Sequence, residues 1–221
     1  MFNIETYIKN IIESLQEKFG SRLLYVGLQG SYLREEATED SDADIMIIID
    51  ELSVRDLATY KKIIAELETP EKSCGFLCGR AELEKWNPLE INSLLYGTKD
   101  YYGKLAEYVP QYNRNDIVNF TKVSIGNLYH EICHRYLHAD FLKNKNKLPH
   151  SYKNVFFILQ SAYYLRTGVF YPTKKELLNN LSEKDKEVLE MAVQLKNNDD
   201  YDFEKAFSVL FTWSQEILYS L

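Results

Sequence analysis

A chain of 221 residues holds one large domain or two small ones, each with its own core. Hydrophobic residues make up 45% and charged residues 27%, a soluble globular balance, and no run is apolar and long enough to cross a bilayer. A net charge of −7 argues against non-specific nucleic-acid binding, which needs an excess of Lys and Arg on one face. The expectation is no nucleic-acid partner, no membrane, and a small or cationic partner molecule. Three cysteines, Cys74, Cys78 and Cys133, are too few and too odd for a disulfide framework, which points to a reducing cytoplasm.

In chain order, Phe2 to Phe19 places Ile4, Ile8, Ile11, Ile12, Leu15 and Phe19 at helical spacing, with Gly20 as a cap. This opening reads as an amphipathic helix and not a signal peptide, because Glu5 and Glu13 interrupt it and no small-residue cleavage site follows. Residues 22–29 read as a strand, 31–37 as a short helix, and 43–49 as a buried strand. Residues 53–67 form a helix capped by Ser53, which Thr69-Pro70 ends. Ser73 to Cys78 is a short apolar run, the third strand, in which Cys74 and Cys78 are expected as small core hydrophobes. Two short helices, 81–86 and 90–96, are split by Asn87-Pro88.

A boundary falls near Val109-Pro110, giving domains 1–109 and 110–221. Beyond it no strand pattern appears. Residues 116–142 read as one long helix, 143–149 as a basic, Asn-rich loop, and 152–166 as a helix ending at Gly168. Residues 173–181, 182–196 and 203–220 are three more helices, the second opening on Ser182-Glu183-Lys184-Asp185. The fold class is α+β: a small sheet with flanking helices, then an all-helical bundle.

The chemistry is concentrated in residues 30–50, GSYLREEATEDSDADIMIIID. Asp42 and Asp44 are two apart at the start of a strand, so both carboxylates project to one face. Ile45 to Ile49 suits a strand buried on both sides. Two acids on such a strand need a cation, and hard oxygen ligands favour Mg²⁺. Upstream, Gly30 lets the chain turn and leaves room for a ligand. Ser31, near a helix start, and Arg34, one turn on, suit an anion. A metal-binding acid pair beside a phosphate cradle is the apparatus of nucleotidyl transfer.

Gly30-Ser31, Arg34 and Ser41-Asp42-Ala43-Asp44-Ile45 resemble the signature of the DNA polymerase β-like nucleotidyltransferase superfamily. The similarity is closest to its small bacterial members, the kanamycin- and lincosamide-type antibiotic nucleotidyltransferases and the minimal nucleotidyltransferases. The match covers Leu24 to Asp50, and Glu35 stands where many relatives carry Gly. The resemblance implies Mg²⁺-dependent transfer of a nucleoside monophosphate from an NTP, ATP by default, to a hydroxyl of a small molecule, with pyrophosphate released. Asp42 and Asp44 would be catalytic metal ligands, and Gly30, Ser31 and Arg34 would hold the triphosphate. Aminoglycoside- or lincosamide-type antibiotics are the implied acceptors, and a homodimer is allowed. Many relatives carry a third metal-binding acid on the strand after the acid pair. Here that strand has none, which leaves Glu131 or Glu82. Kanamycin-type relatives use a carboxylate of the helical domain as base, and Glu131 is the glutamate on the first long helix of that half. The resemblance therefore sets Glu131 across from the acid pair, with the acceptor between.

Two rival readings are an AMP-transferring, antitoxin-like enzyme acting on a partner protein, and a non-catalytic nucleotide-binding protein. A remote one comes from His130-Glu131-Ile132-Cys133-His134, which fits the HExxH pattern of zinc metalloproteases. The extension that supplies the third ligand is absent, since Arg135-Tyr136-Leu137-His138 follows. The expected role of these histidines is to line a cleft. The aromatic-rich segment around Tyr163, Tyr164 and Tyr171 reads first as helix-core packing, with a stacking wall for a ring as the functional alternative.

Overall fold

The computed structural model describes residues 2–181, 183–196 and 200–221. It divides into two compact units, Met1–Tyr112 and Asn113–Leu221. The fold is α+β, with a four-stranded sheet and flanking helices in the first unit and, among the described residues, helices without strands in the second.

The first unit runs α1 (Ile4–Phe19), β1 (Leu23–Leu28), α2 (Gly30–Leu33), β2 (Ala43–Ile49), α3 (Val54–Glu66), β3 (Ser73–Gly79), α4 (Arg80–Glu84), α5 (Pro88–Tyr96) and β4 (Lys99–Tyr102). The sheet order is β3-β2-β1-β4. β1 pairs antiparallel with β2 and β4, and β2 pairs parallel with β3. β2 is central, so both its faces are covered, which explains its unbroken apolar run. Ala43, Ile45, Ile47 and Ile49 pack with Ile8, Ile11 and Leu15 of α1 and Ile63 of α3. Met46 and Ile48 face the other way, with Tyr25, Cys78, Leu83 and Leu105. Side-chain oxygens tie the helix starts: Asn3 accepts from the Thr6 amide, and Ser53 and Asp56 form a reciprocal capping box on α3.

Asp56 also anchors this unit electrostatically. It is buried, with its side chain 12% exposed, and it accepts from Arg22 Nη1 at 2.8 Å and Ser53 Oγ at 2.7 Å. The Arg22 guanidinium, then Ser53, holds the Asp56 carboxyl well below the usual carboxylate range. A depressed folded-state pKa adds stability above the unfolded value and loses it as pH falls through the folded one. Asp56→Ala should therefore cost about 2 kcal/mol near neutrality. Because the wild type loses this contribution in acid, the gap should narrow below about pH 4. Urea unfolding of both proteins across pH checks both the size and the trend.

The second unit contains α6 (Arg114–His138), α7 (Phe141–Thr167), α8 (Lys174–Leu178), α9 (Glu183–Lys196) and α10 (Phe203–Ser220). Trp213, Tyr152, Phe156 and Leu159 lie at its core. Tyr163 and Tyr171 pack against that core, ring to ring at 5.5 Å. Ser182, expected at a helix start, lies outside the described residues.

The structure departs from the sequence reading at four places. The helix expected over 31–37 is a single turn, Gly30–Leu33, after which Glu35 adopts a positive φ of 56°. A left-handed backbone there favours glycine, so Glu35 carries a local strain of about 1 kcal/mol. The 116–142 helix stops at His138, because Asp140 caps a new helix by accepting from the Lys143 amide at 2.8 Å. Residues 143–149 are helical and not a loop. Asn144, Leu148, Ser151 and Tyr152 are its buried stripe, and Pro149 sits inside the helix. Proline's missing N–H would leave the Lys145 carbonyl unpaired, and the Tyr201 hydroxyl donates to it instead. Finally, β4 is an edge strand of four residues with two exposed charged positions, too short and polar to be seen in the sequence.

Candidate active site

Asp42 and Asp44 flank Ala43 at the entry to β2. Ala43 is buried among the α1-side core, so the strand's alternation assigns the two acids to the other side. Asp42 is exposed and Asp44 half-buried. The loop before them is pinned, since Lys72 donates to the Ser41 carbonyl at 3.2 Å and to the Glu39 carbonyl. The strand is held from the other side by the Gln29 amide, which donates to the Asp44 carbonyl at 2.8 Å.

Gly30 turns the chain out of β1 with φ at 72°. A Cβ built there would lie 1.8 Å from Asp44 Oδ2, so the glycine's bare face is what accommodates the carboxylate. Ser31 is half-buried on this turn. Arg34 closes it, with its amide donating to the Gly30 carbonyl at 3.3 Å. Its guanidinium pairs with Glu36 at 3.5 Å. Gly30, Ser31, Asp42 and Asp44 thus come together, with Arg34 one turn away.

Neither Asp42 nor Asp44 has an ion-pair partner among the described residues. Two hard oxygen ligands without a cation fit Mg²⁺, which is commonly held by one or two carboxylates plus substrate phosphates and water. No group of three or more His, Cys, Asp or Glu side chains among the described residues could hold a metal alone, so phosphate and water would complete such a site.

The parallel register places Cys74 of β3 opposite Asp44. Cys74 is exposed, which corrects its assignment to the core, whereas Cys78 is buried as expected. Partial desolvation, then the hydrogen bond to the Asp44 carboxylate, pushes the Cys74 thiol above its ordinary range. The strand position beside the acid pair is therefore a thiol and not a third carboxylate. Glu82 is no substitute. Its Oε2 would touch a Cβ at Gly79, and Gly79 pairs with Ile49, five residues beyond the Asp44–Cys74 pair. That separation is roughly 16 Å along the strand.

Glu131 lies in the second unit, on α6. Its carboxylate pairs with Arg135 and accepts from Ser151 Oγ of α7 at 3.0 Å. This network crosslinks the two helices and fixes the carboxylate's direction. A concavity of about 250 Å³ in the first unit, lined by Asn3, Thr6, Asn10 and Glu68, contains none of the residues above.

Residues 8–99 match the family model described as nucleotidyltransferase domain. No curated protein matches the chain. Among solved structures, the chain is similar to spectinomycin adenyltransferase AAD(9) from Enterococcus faecialis, whose crystal structure was obtained with ATP and spectinomycin. The TM-score is 0.59 at 14% identity, over 98% of this chain and 100% of that one. Identity this low speaks for a shared fold, and that fold extends through the helical unit.

Proposed function

We propose that this chain, a nucleotidyltransferase by the domain it carries over residues 8–99, transfers a nucleoside monophosphate from ATP or another NTP to a hydroxyl of a small molecule, releasing pyrophosphate. The observation that carries this is the Asp42–Asp44 carboxylate pair, without an ion-pair partner among the described residues, with Asp44 set against the bare face of Gly30. Asp42 and Asp44 would hold Mg²⁺. Bound there, the ion supplies neutralisation of triphosphate charge and polarisation of the α-phosphate. Gly30 makes the turn whose backbone N–H and Ser31 hydroxyl would donate to phosphate oxygens, while the Asp44 carboxylate fills its bare face. Arg34 binds the same anion by exchanging its Glu36 partner for phosphate, a stronger bidentate acceptor.

The acceptor we propose is an antibiotic of the aminoglycoside or lincosamide type. The likeness of fold to an enzyme crystallised with ATP and spectinomycin supports it, since the likeness includes the helical unit. The proposal extends to a cytoplasmic location, which the three free cysteines suit. It includes no nucleic-acid partner, in keeping with the net charge of −7. None of the described helices is long and apolar enough to cross a membrane. Pyrophosphate release from ATP and Mg²⁺ across an antibiotic panel tests the reading, and release with a protein acceptor alone would favour protein modification instead.

Glu131 is the proposed base for the acceptor hydroxyl. Glu131→Gln should then lower kcat about a hundredfold, the low end for a general base, with ATP affinity unchanged. If Glu131 serves only to join α6 to α7, the variant loses thermal stability and keeps its kcat. Steady-state kinetics beside a melting curve separates the two outcomes.

A further inference from the structure

We propose that His134 and His138, in the last turns of α6, form a surface site for a borderline divalent cation such as Ni²⁺, Cu²⁺ or Zn²⁺, with His130 as a second partner for His134. The three histidines recur every fourth residue and share one helix face. All three are exposed. Their rings already neighbour one another, with centroids 5.9 Å apart for His130 and His134 and 4.9 Å apart for His134 and His138.

An ion bound to one nitrogen of each imidazole at about 2.0–2.1 Å sets the two ring centroids roughly 5 Å apart. The His134–His138 pair meets that separation on an unaltered helix, and the His130–His134 pair comes within a small rotation of it. The helix ends at His138, with Ala139 as its cap. The aligned peptide dipoles of the helix give that end partial negative charge, which favours a cation beside it. Imidazole selects nickel, copper and zinc, whereas paired carboxylates select magnesium, so the histidine ladder and the acid pair take different ions.

With two imidazoles at a time and no third side chain converging among the described residues, water fills the other positions. The site is exchangeable and is not a catalytic zinc centre. Glu131, the glutamate of the HExxH pattern, is held by Arg135 and Ser151. The inference is independent of the transferase reading.

Calorimetric titration of NiCl₂ into the full chain, in excess MgCl₂ to keep the hard ion on the acid pair, tests it. The expected result is saturable binding of one nickel per chain. His134→Gln should abolish it, because His134 belongs to both pairs. His138→Gln should weaken it by at least about tenfold, given that even a group supporting a metal ligand is worth 10–100-fold. His150→Gln, at the remaining histidine, should leave it unchanged. Melting curves without metal show that the variants fold, since all three positions are exposed. Absence of saturable nickel binding in the wild type, or binding unaltered by His134→Gln or His138→Gln, overturns the site.

Discussion

Replacing Asp44 with Asn should cut nucleotidyl transfer roughly a thousandfold or more, the upper range for loss of one electrostatic stabiliser, and leave the fold intact. Asn keeps the size and shape of Asp, so the close packing against Gly30 is preserved. The backbone bond from Gln29 to the Asp44 carbonyl does not involve the side chain. What is lost is a negative charge without an ion pair among the described residues. Two carboxylates two residues apart repel when no cation sits between them, so the variant should melt no earlier than wild type in metal-free buffer. Added Mg²⁺ should raise the wild-type Tm and leave that of the variant nearly unchanged, because only a ligand that binds the folded state shifts the transition. Asp42→Asn should act in the same direction. Wild-type turnover by either variant would remove the acid pair from the mechanism.

Gly30→Ala should be nearly as damaging to activity, at a hundredfold or more by the usual penalty for misplacing reactive groups by about 1 Å. The added methyl would sit 1.8 Å from Asp44 Oδ2 and 2.7 Å from its Cγ. Neither atom is at the end of a long flexible chain, so the carboxylate or the turn has to move. The backbone φ of 72° adds strain for any side chain at this position. Both effects fall on the atoms proposed to hold metal and phosphate. A variant that folds, binds ATP and turns over like wild type would show that the Gly30–Asp44 contact has no part in the reaction.

The acid pair and the glycine turn are legible in the sequence because they rest on rules of one strand and one turn. The β2 run from Ile45 to Ile49 shows itself because a central strand is apolar on both faces. Cys74 was not legible, since SCGFLC reads as a core strand. Only the parallel register brings Cys74 opposite Asp44, and only its place in the sheet exposes it. The Arg34–Glu36 pair was hidden for a related reason. A helix over 31–37 would separate those side chains, whereas the left-handed Glu35 lets them meet. The start of helix α7 is hidden in the sequence because a proline in a polar stretch is a loop signal. The compensating Tyr201 hydroxyl comes from 56 residues away. Local pattern therefore reveals the chemistry that neighbours in sequence create, and tertiary partners decide the remainder.

The central claim is Mg²⁺-dependent transfer of a nucleoside monophosphate that depends on Asp42 and Asp44. The most direct measurement uses ATP labelled at the α-phosphate, incubated with the wild type, Asp44→Asn and a panel of antibiotics that includes spectinomycin. The account predicts label on an acceptor, one pyrophosphate per labelled product, only with Mg²⁺ present and only with the wild type. Label that never leaves the nucleotide with any acceptor, or that is transferred equally by Asp44→Asn, would contradict it.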